Sequence, residues 1–177
     1  KLDLNRIEAE LLKRRPKSNL STPRQEQDEY QIVSGYFNER TTGAPLTIMI
    51  PNTDTRSRDY TSNILRPSHA DFTAYKKYDG YQDYRGGGHF SGRITTPIVI
   101  LGAICSQILE EKGVYIGSHI NSIKNEKDLD FSVVTPDINL IKTLQQSDFP
   151  TLSEDKVELF KNIIIDAKNN LDSVGGT

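Results

Sequence analysis

The feature that most constrains this chain is the passage "GGGHFSGRITTPIVILGAICSQILEEKG", residues 86 to 113, where three consecutive glycines lead directly into the longest apolar segment. Ile94, Ile98, Val99, Ile100, Leu101, Ala103, Ile104, Ile108 and Leu109 recur at helical spacing and cover nearly every side. The pattern predicts one long helix over 91–112, buried on most faces. Pro97 falls in an early turn, where a missing N–H costs least, and Gly113 ends the helix. A helix start exposes unpaired N–H groups and a partial positive charge, and glycines just before it allow close approach to the main chain. The segment is therefore a candidate anion site, reinforced by Arg85 before the glycines and Arg93 after them. Its spacing matches neither the dinucleotide fingerprint nor the phosphate-binding P-loop.

Around this segment the pattern is mixed. Asp3 to Arg15 predicts an amphipathic helix, capped by Asp3 and carrying Leu4, Ile7, Leu11 and Leu12 on one face. "YQIVSGYF" and "APLTIMIP" alternate as strands, with "RTTG" suited to a hairpin connection. "RPKSNLSTPRQEQDE" and "NTDTRSRDYTSNILRPSHA" are long polar loops. Ser68 to Tyr78 predicts a short helix, "VYIGSHINSI" a strand, and "SEDKVELFKNIIIDAKNNL" a helix capped by Ser153. The fold class is α+β in a single domain over 1–177, a length that buries a real core.

A net charge of -2 gives no global field for nucleic acid, so anion binding must come from local clustering. No apolar run reaches transmembrane length, and no secretory signal is visible. The single cysteine, Cys105, excludes an internal disulfide, sits in an apolar run as a small core residue, and fits a reduced, cytoplasmic setting. His69 stands near a predicted helix start beside Asp71, where it can move protons or simply hydrogen-bond; His89 follows the glycines; His119 lies within a predicted strand as a packing or surface residue. The histidine spacings suggest no metal site. Arginines in four polar loops, at Arg14, Arg24, Arg66 and Arg85 with Arg93, either converge on a phosphorylated ligand or lie scattered over the surface.

Taken in order, "LLKRRP", "STPRQEQD", "SGYFNERTTGAPLTIMIPNTDTRSRDY", "RPSHADFT" and "DYRGGGHFSGRITTPIVILGAI" resemble chorismate synthase, with a looser stretch over 112–152 and a further match at "DSVGG". That family eliminates phosphate from 5-enolpyruvylshikimate 3-phosphate to give chorismate, the last common step of the shikimate route to aromatic amino acids. It is a carbon–oxygen lyase and a flavoprotein that needs reduced FMN without net redox change; NADPH serves where the enzyme reduces its own flavin. The resemblance implies a β-α-β sandwich, antiparallel sheets enclosing long central helices, assembled as a cytoplasmic homotetramer with no nucleic-acid or membrane partner.

Carried over residue by residue, the resemblance makes His69 of "RPSHAD" the catalytic proton donor. It assigns Arg14, Arg24 and Arg93 to substrate or phosphate, and His89, Phe90, Ser91 and Gly92 to the flavin. The family more often has Arg-Ser-Ser where this chain has His89-Phe90-Ser91, so backbone contacts there carry over more securely than side-chain ones. The family's Gly-Glu-Ser-His-Gly opening, its Lys-Pro-Thr stretch and a late Arg/Asp pair find no match. The expectation is an incomplete, inactive portion of the first half of the enzyme, which either oligomerises through its uncovered helix faces or pairs there with material outside this chain. A non-catalytic phosphate-binding or assembly module is the alternative.

Overall fold

The computed structural model describes residues 1–15, 20, 28–52, 60–62 and 64–177. Its contacts divide the chain into two compact units, one ending at Ile104 and the other running over Cys105–Thr177.

In the first unit α1 (Leu4–Arg14) begins as expected: Asp3 accepts the Asn5 N–H at 3.0 Å, and Lys13 and Arg14 occupy the last turn, where cations suit the helix dipole. Strand β1 (Gln31–Ser34) pairs antiparallel with β4 (Thr47–Met49), and β2 (Tyr36–Phe37) with β3 (Arg40–Thr41). The tight turn falls ahead of "RTTG": Asn38 and Glu39 both have positive φ, 47° and 60°, while Arg40 and Thr41 are already strand. Gly35 marks the break between β1 and β2. Its φ is 79°, and a Cβ there would stand 2.6 Å from the Leu46 Cα and the Pro45 carbonyl oxygen, so no larger residue fits. Helix α2 (Asp71–Lys77) starts later than Ser68, because Ser68 takes a left-handed φ of 61° that helix cannot continue through.

Two single 3₁₀ turns, Gly88–Phe90 and Gly92–Ile94, lead into α3 (Thr95–Glu110). Ile100, Ala103 and Ile104 of α3 pack with Leu2, Ile7 and Leu11, and Leu46 and Ile48 close around them. The expectation of all-round burial fails here. Ile98 is 63% exposed, Leu101 59% and Ile108 53%, so α3 buries one face only, and Cys105 is exposed rather than a core residue. With its leading 3₁₀ turn the helix does reach membrane-crossing length and apolarity, over Gly92–Glu110, contrary to the reading of the apolar run alone.

The second unit centres on Ile123, Leu144 and Phe160, all buried. The predicted strand over 114–123 shrinks to β5 (Ser122–Ile123), paired with β6 (Glu126–Lys127) and flanked by an antiparallel bridge from Ile123 to Gly176. A helix that the sequence reading left out, α4 (Ile138–Gln146), is capped by Asp137 through the Leu140 N–H at 2.7 Å. Helix α5 (Glu154–Asn169) follows, but the Ser153 side chain makes no cap bond. Buried Asp128 takes the N–H groups of Leu152 and Ser153 instead, bonds that hold its carboxyl below the usual range against the opposing effect of burial. His119 lies beside it at 3.5 Å, edge-on to Phe131. The class is α+β.

Candidate functional site

Two features of the first unit meet at the glycine turn. The first is an arginine pair. Arg14, at the end of α1, and Arg93, in the turn before α3, both donate to Asp28: Arg14 Nη1 to Oδ2 at 2.9 Å and Arg93 Nη1 to Oδ1 at 2.6 Å. Arg14 reaches the first two residues of α3 as well. Its Nη2 donates to Thr95 Oγ1 at 3.1 Å, and its Nη1 to the hydroxyl of Thr96. Thr96 is fully buried, and its hydroxyl donates in turn to the Arg93 carbonyl at 2.9 Å. Thr95 donates to the Gly92 carbonyl at 2.6 Å, and Arg93 Nη2 to the Pro51 carbonyl at 3.2 Å. The C-terminus of α1, the N-terminus of α3 and the turn between Ser91 and Ile94 are thus bound together by polar side chains. Each arginine side chain keeps about a fifth of its surface open, 23% for Arg14 and 22% for Arg93.

The second feature is a cavity of about 500 Å³ whose wall includes Tyr60, Tyr78, Tyr84, His89, Phe90 and the glycines 86–88. His89 Nε2 lies 3.1 Å from the Tyr78 hydroxyl, and the His89 and Phe90 rings stack with centroids 4.1 Å apart. Gly88, at φ 51°, makes a left-handed step immediately before the two rings. Gln82 also lines the cavity, and its Oε1 is buried with no hydrogen-bond partner among the described residues. An unsatisfied buried acceptor is costly unless a ligand or water donates to it.

The residues expected from sequence sort cleanly. Arg14 and Arg93 share one partner, and His89 and Phe90 line the cavity. Ser91 caps the following turn through the Arg93 N–H at 3.2 Å, and Gly92 supplies the carbonyl that Thr95 bonds. Arg24 lies outside the described residues. His69 is exposed and does not line the cavity; its Nδ1 sits 2.9 Å from the Pro67 carbonyl. Among the described residues, the loop arginines Arg66 and Arg85 have other partners. Arg66 forms a two-pronged bridge to Asp71 and lies over the Tyr60 ring, and Arg85 is held by its neighbour Asp83. The hydrogen bond from Arg66 pulls the Asp71 carboxyl down to about 2. Sequence reasoning missed Asp28, Thr95, Thr96 and Gln82. Asp28 closes the motif "STPRQEQD", and a carboxylate ending a loop rich in cations was the available signal.

Fold and site together define an α+β protein with a two-arginine cluster and an aromatic cavity on either side of one glycine turn. The family model described as chorismate synthase matches residues 1–177. The chain is 40% identical over 178 residues to the chorismate synthase of Sulfurimonas denitrificans, an alignment covering 99% of this chain and 47% of that protein. It is 39% identical to that of Thermococcus gammatolerans, again over 47% of the relative's length. A solved structure titled "Crystal Structure of Chorismate Synthase" superposes with a TM-score of 0.69 at 26% identity, covering 99% of this chain and 47% of the other. The chain belongs to the chorismate synthase family, and it spans about half the length of these relatives.

Proposed function

We propose that the chain supplies part of a chorismate synthase, a lyase that removes phosphate and a proton from 5-enolpyruvylshikimate 3-phosphate with reduced FMN present. The observation that carries this reading is the meeting of Arg14 and Arg93 on Asp28 at the start of α3, beside a ring-lined cavity. A departing phosphate gains negative charge, and a pair of fixed guanidinium groups stabilises it without reorganising. Arg24 is assigned to the same anion site by its place in "STPRQEQD".

The cavity suits a flat, mostly apolar ring system. Tyr60, Tyr78, His89 and Phe90 offer faces and edges to stack on, and the unpaired Gln82 Oε1 offers an acceptor to a ring N–H. When bound, the reduced flavin would supply transient electron density to the substrate. Ser91 and Gly92 shape the main chain at the cavity's edge. NADPH belongs to the scheme only as the reductant of that flavin.

His69 is the proposed proton donor. A carbonyl only accepts, so the contact with Pro67 fixes a hydrogen on Nδ1 and leaves Nε2 as the atom that exchanges a proton. The exposed row Ile98, Leu101 and Ile108 fits a central helix of the two-sheet sandwich and its homotetramer, and the setting is the cytoplasm. Turnover needs residues beyond those of this chain, so the chain alone is inactive. The test is to titrate it with FMN and then assay phosphate release from 5-enolpyruvylshikimate 3-phosphate. Flavin binding without release is expected. Failure to bind any flavin would overturn the assignment of the cavity, and release would overturn the claim of inactivity.

A further inference from the structure

Asp28 is the residue on which the arginine pair depends. It is 7% exposed and sits at φ 49°, a left-handed backbone that costs an aspartate something to hold. Its two oxygens serve different arginines, at 2.9 and 2.6 Å. Each arginine is tied a second time, Arg14 to the hydroxyls of Thr95 and Thr96 and Arg93 to the Pro51 carbonyl. A long, charged side chain in water samples many rotamers, and an anion that binds it must fix it first. Here the fixing is done on folding. Removing the carboxylate takes away a partner that both guanidinium groups share, and the repulsion between like charges then favours their separation.

We propose that Asp28 is a positioning residue of the anion site: by gripping Arg14 and Arg93 through separate oxygens, it makes one prearranged two-pronged receptor for a phosphate group. The proposal rests on the reading above, in which these arginines take a phosphorylated ligand. Three roles for Asp28 predict three different outcomes. A mere counter-ion weakens anion binding, so its removal tightens it. A purely structural residue changes stability and leaves the affinity of the folded protein alone. A positioning residue does the reverse of the counter-ion: its removal weakens binding although the site gains positive charge.

Inorganic phosphate, titrated calorimetrically into this chain, separates them. Arg14→Gln and Arg93→Gln are each expected to weaken binding, and Asp28→Asn to weaken it about tenfold or more, the scale on which groups that orient a binding residue act. In the Asp28→Asn background, Arg14→Gln is expected to cost less than about threefold, because the receptor is already broken. Asp28→Asn protein that is folded by circular dichroism and binds phosphate as well as or better than wild type overturns the proposal. Should that variant not fold, Asp28→Glu replaces it. Glutamate keeps the charge but displaces the carboxylate by one methylene, so about fivefold weaker binding is expected, and wild-type affinity overturns the proposal. If instead wild type and both arginine variants bind phosphate equally, the two-arginine reading itself has failed, whatever Asp28 does.

Discussion

Thr96→Val tests the polar strut at the start of α3. The substitution keeps the side chain's shape and removes its hydroxyl from a site with no exposure. Two bonds disappear, one to the Arg93 carbonyl at 2.9 Å and one from Arg14 Nη1. A neutral hydrogen bond is worth about 1 kcal/mol and a charge-assisted one about 1.5–3 kcal/mol. Arg14 retains Asp28 and Thr95 as partners, which puts the second contribution at the low end. The sum is about 2–3 kcal/mol of folding stability. Thr96→Ser is the matched control: it keeps the hydroxyl and loses a methyl group, for about 1 kcal/mol. Urea unfolding of wild type and both variants, followed by circular dichroism, gives the two differences directly. The valine variant is expected to lose about twice as much as the serine variant. If serine is the worse of the two, packing rather than hydrogen bonding dominates at Thr96, and the account of the strut is wrong.

Gly35→Ala meets backbone atoms at 2.6 Å from a φ of 79°, whereas Gly43→Ala has a similar φ of 85° and open space around it. The second should cost about 1–2 kcal/mol and the first more than about 3 kcal/mol, read from melting curves; equal losses would refute the clash. Asp71, held at about 2 by Arg66, has a folded pKa below the unfolded value of about 3.9. Its contribution to stability is therefore fully present above pH ~4 and lost as pH falls through ~2. The difference in melting temperature between wild type and Asp71→Asn should shrink over that window, and an Asp71 carboxyl resonance titrating near pH ~4 in a carbon NMR series would contradict the bridge.

The parts of the fold legible in sequence are those set by local chemistry. Asp3, the spacing of Ile7 and Leu11, and Gly113 fix α1 and the end of α3 without reference to anything distant. Burial of α3 was misread because an all-round apolar pattern states what a helix could bury, not what covers it. The strand over 114–123 was misread because alternation without a long partner yields only the two-residue β5. Helix α4 was there to be found, in Asp137 ahead of Ile138, Ile141 and Leu144. At the site, Arg14 and Arg93 are legible as anion-binding candidates that could converge, but the residue that joins them is not. Asp28 meets Arg93 across 65 positions of chain, a contact that no single-sequence pattern encodes.

One short stretch, Phe90 to Arg93, forms part of the aromatic cavity at one end and presents a guanidinium at the other. If a molecule against the rings alters how that guanidinium meets a second guest, thermodynamic reciprocity requires the second guest to act back on the first with equal strength.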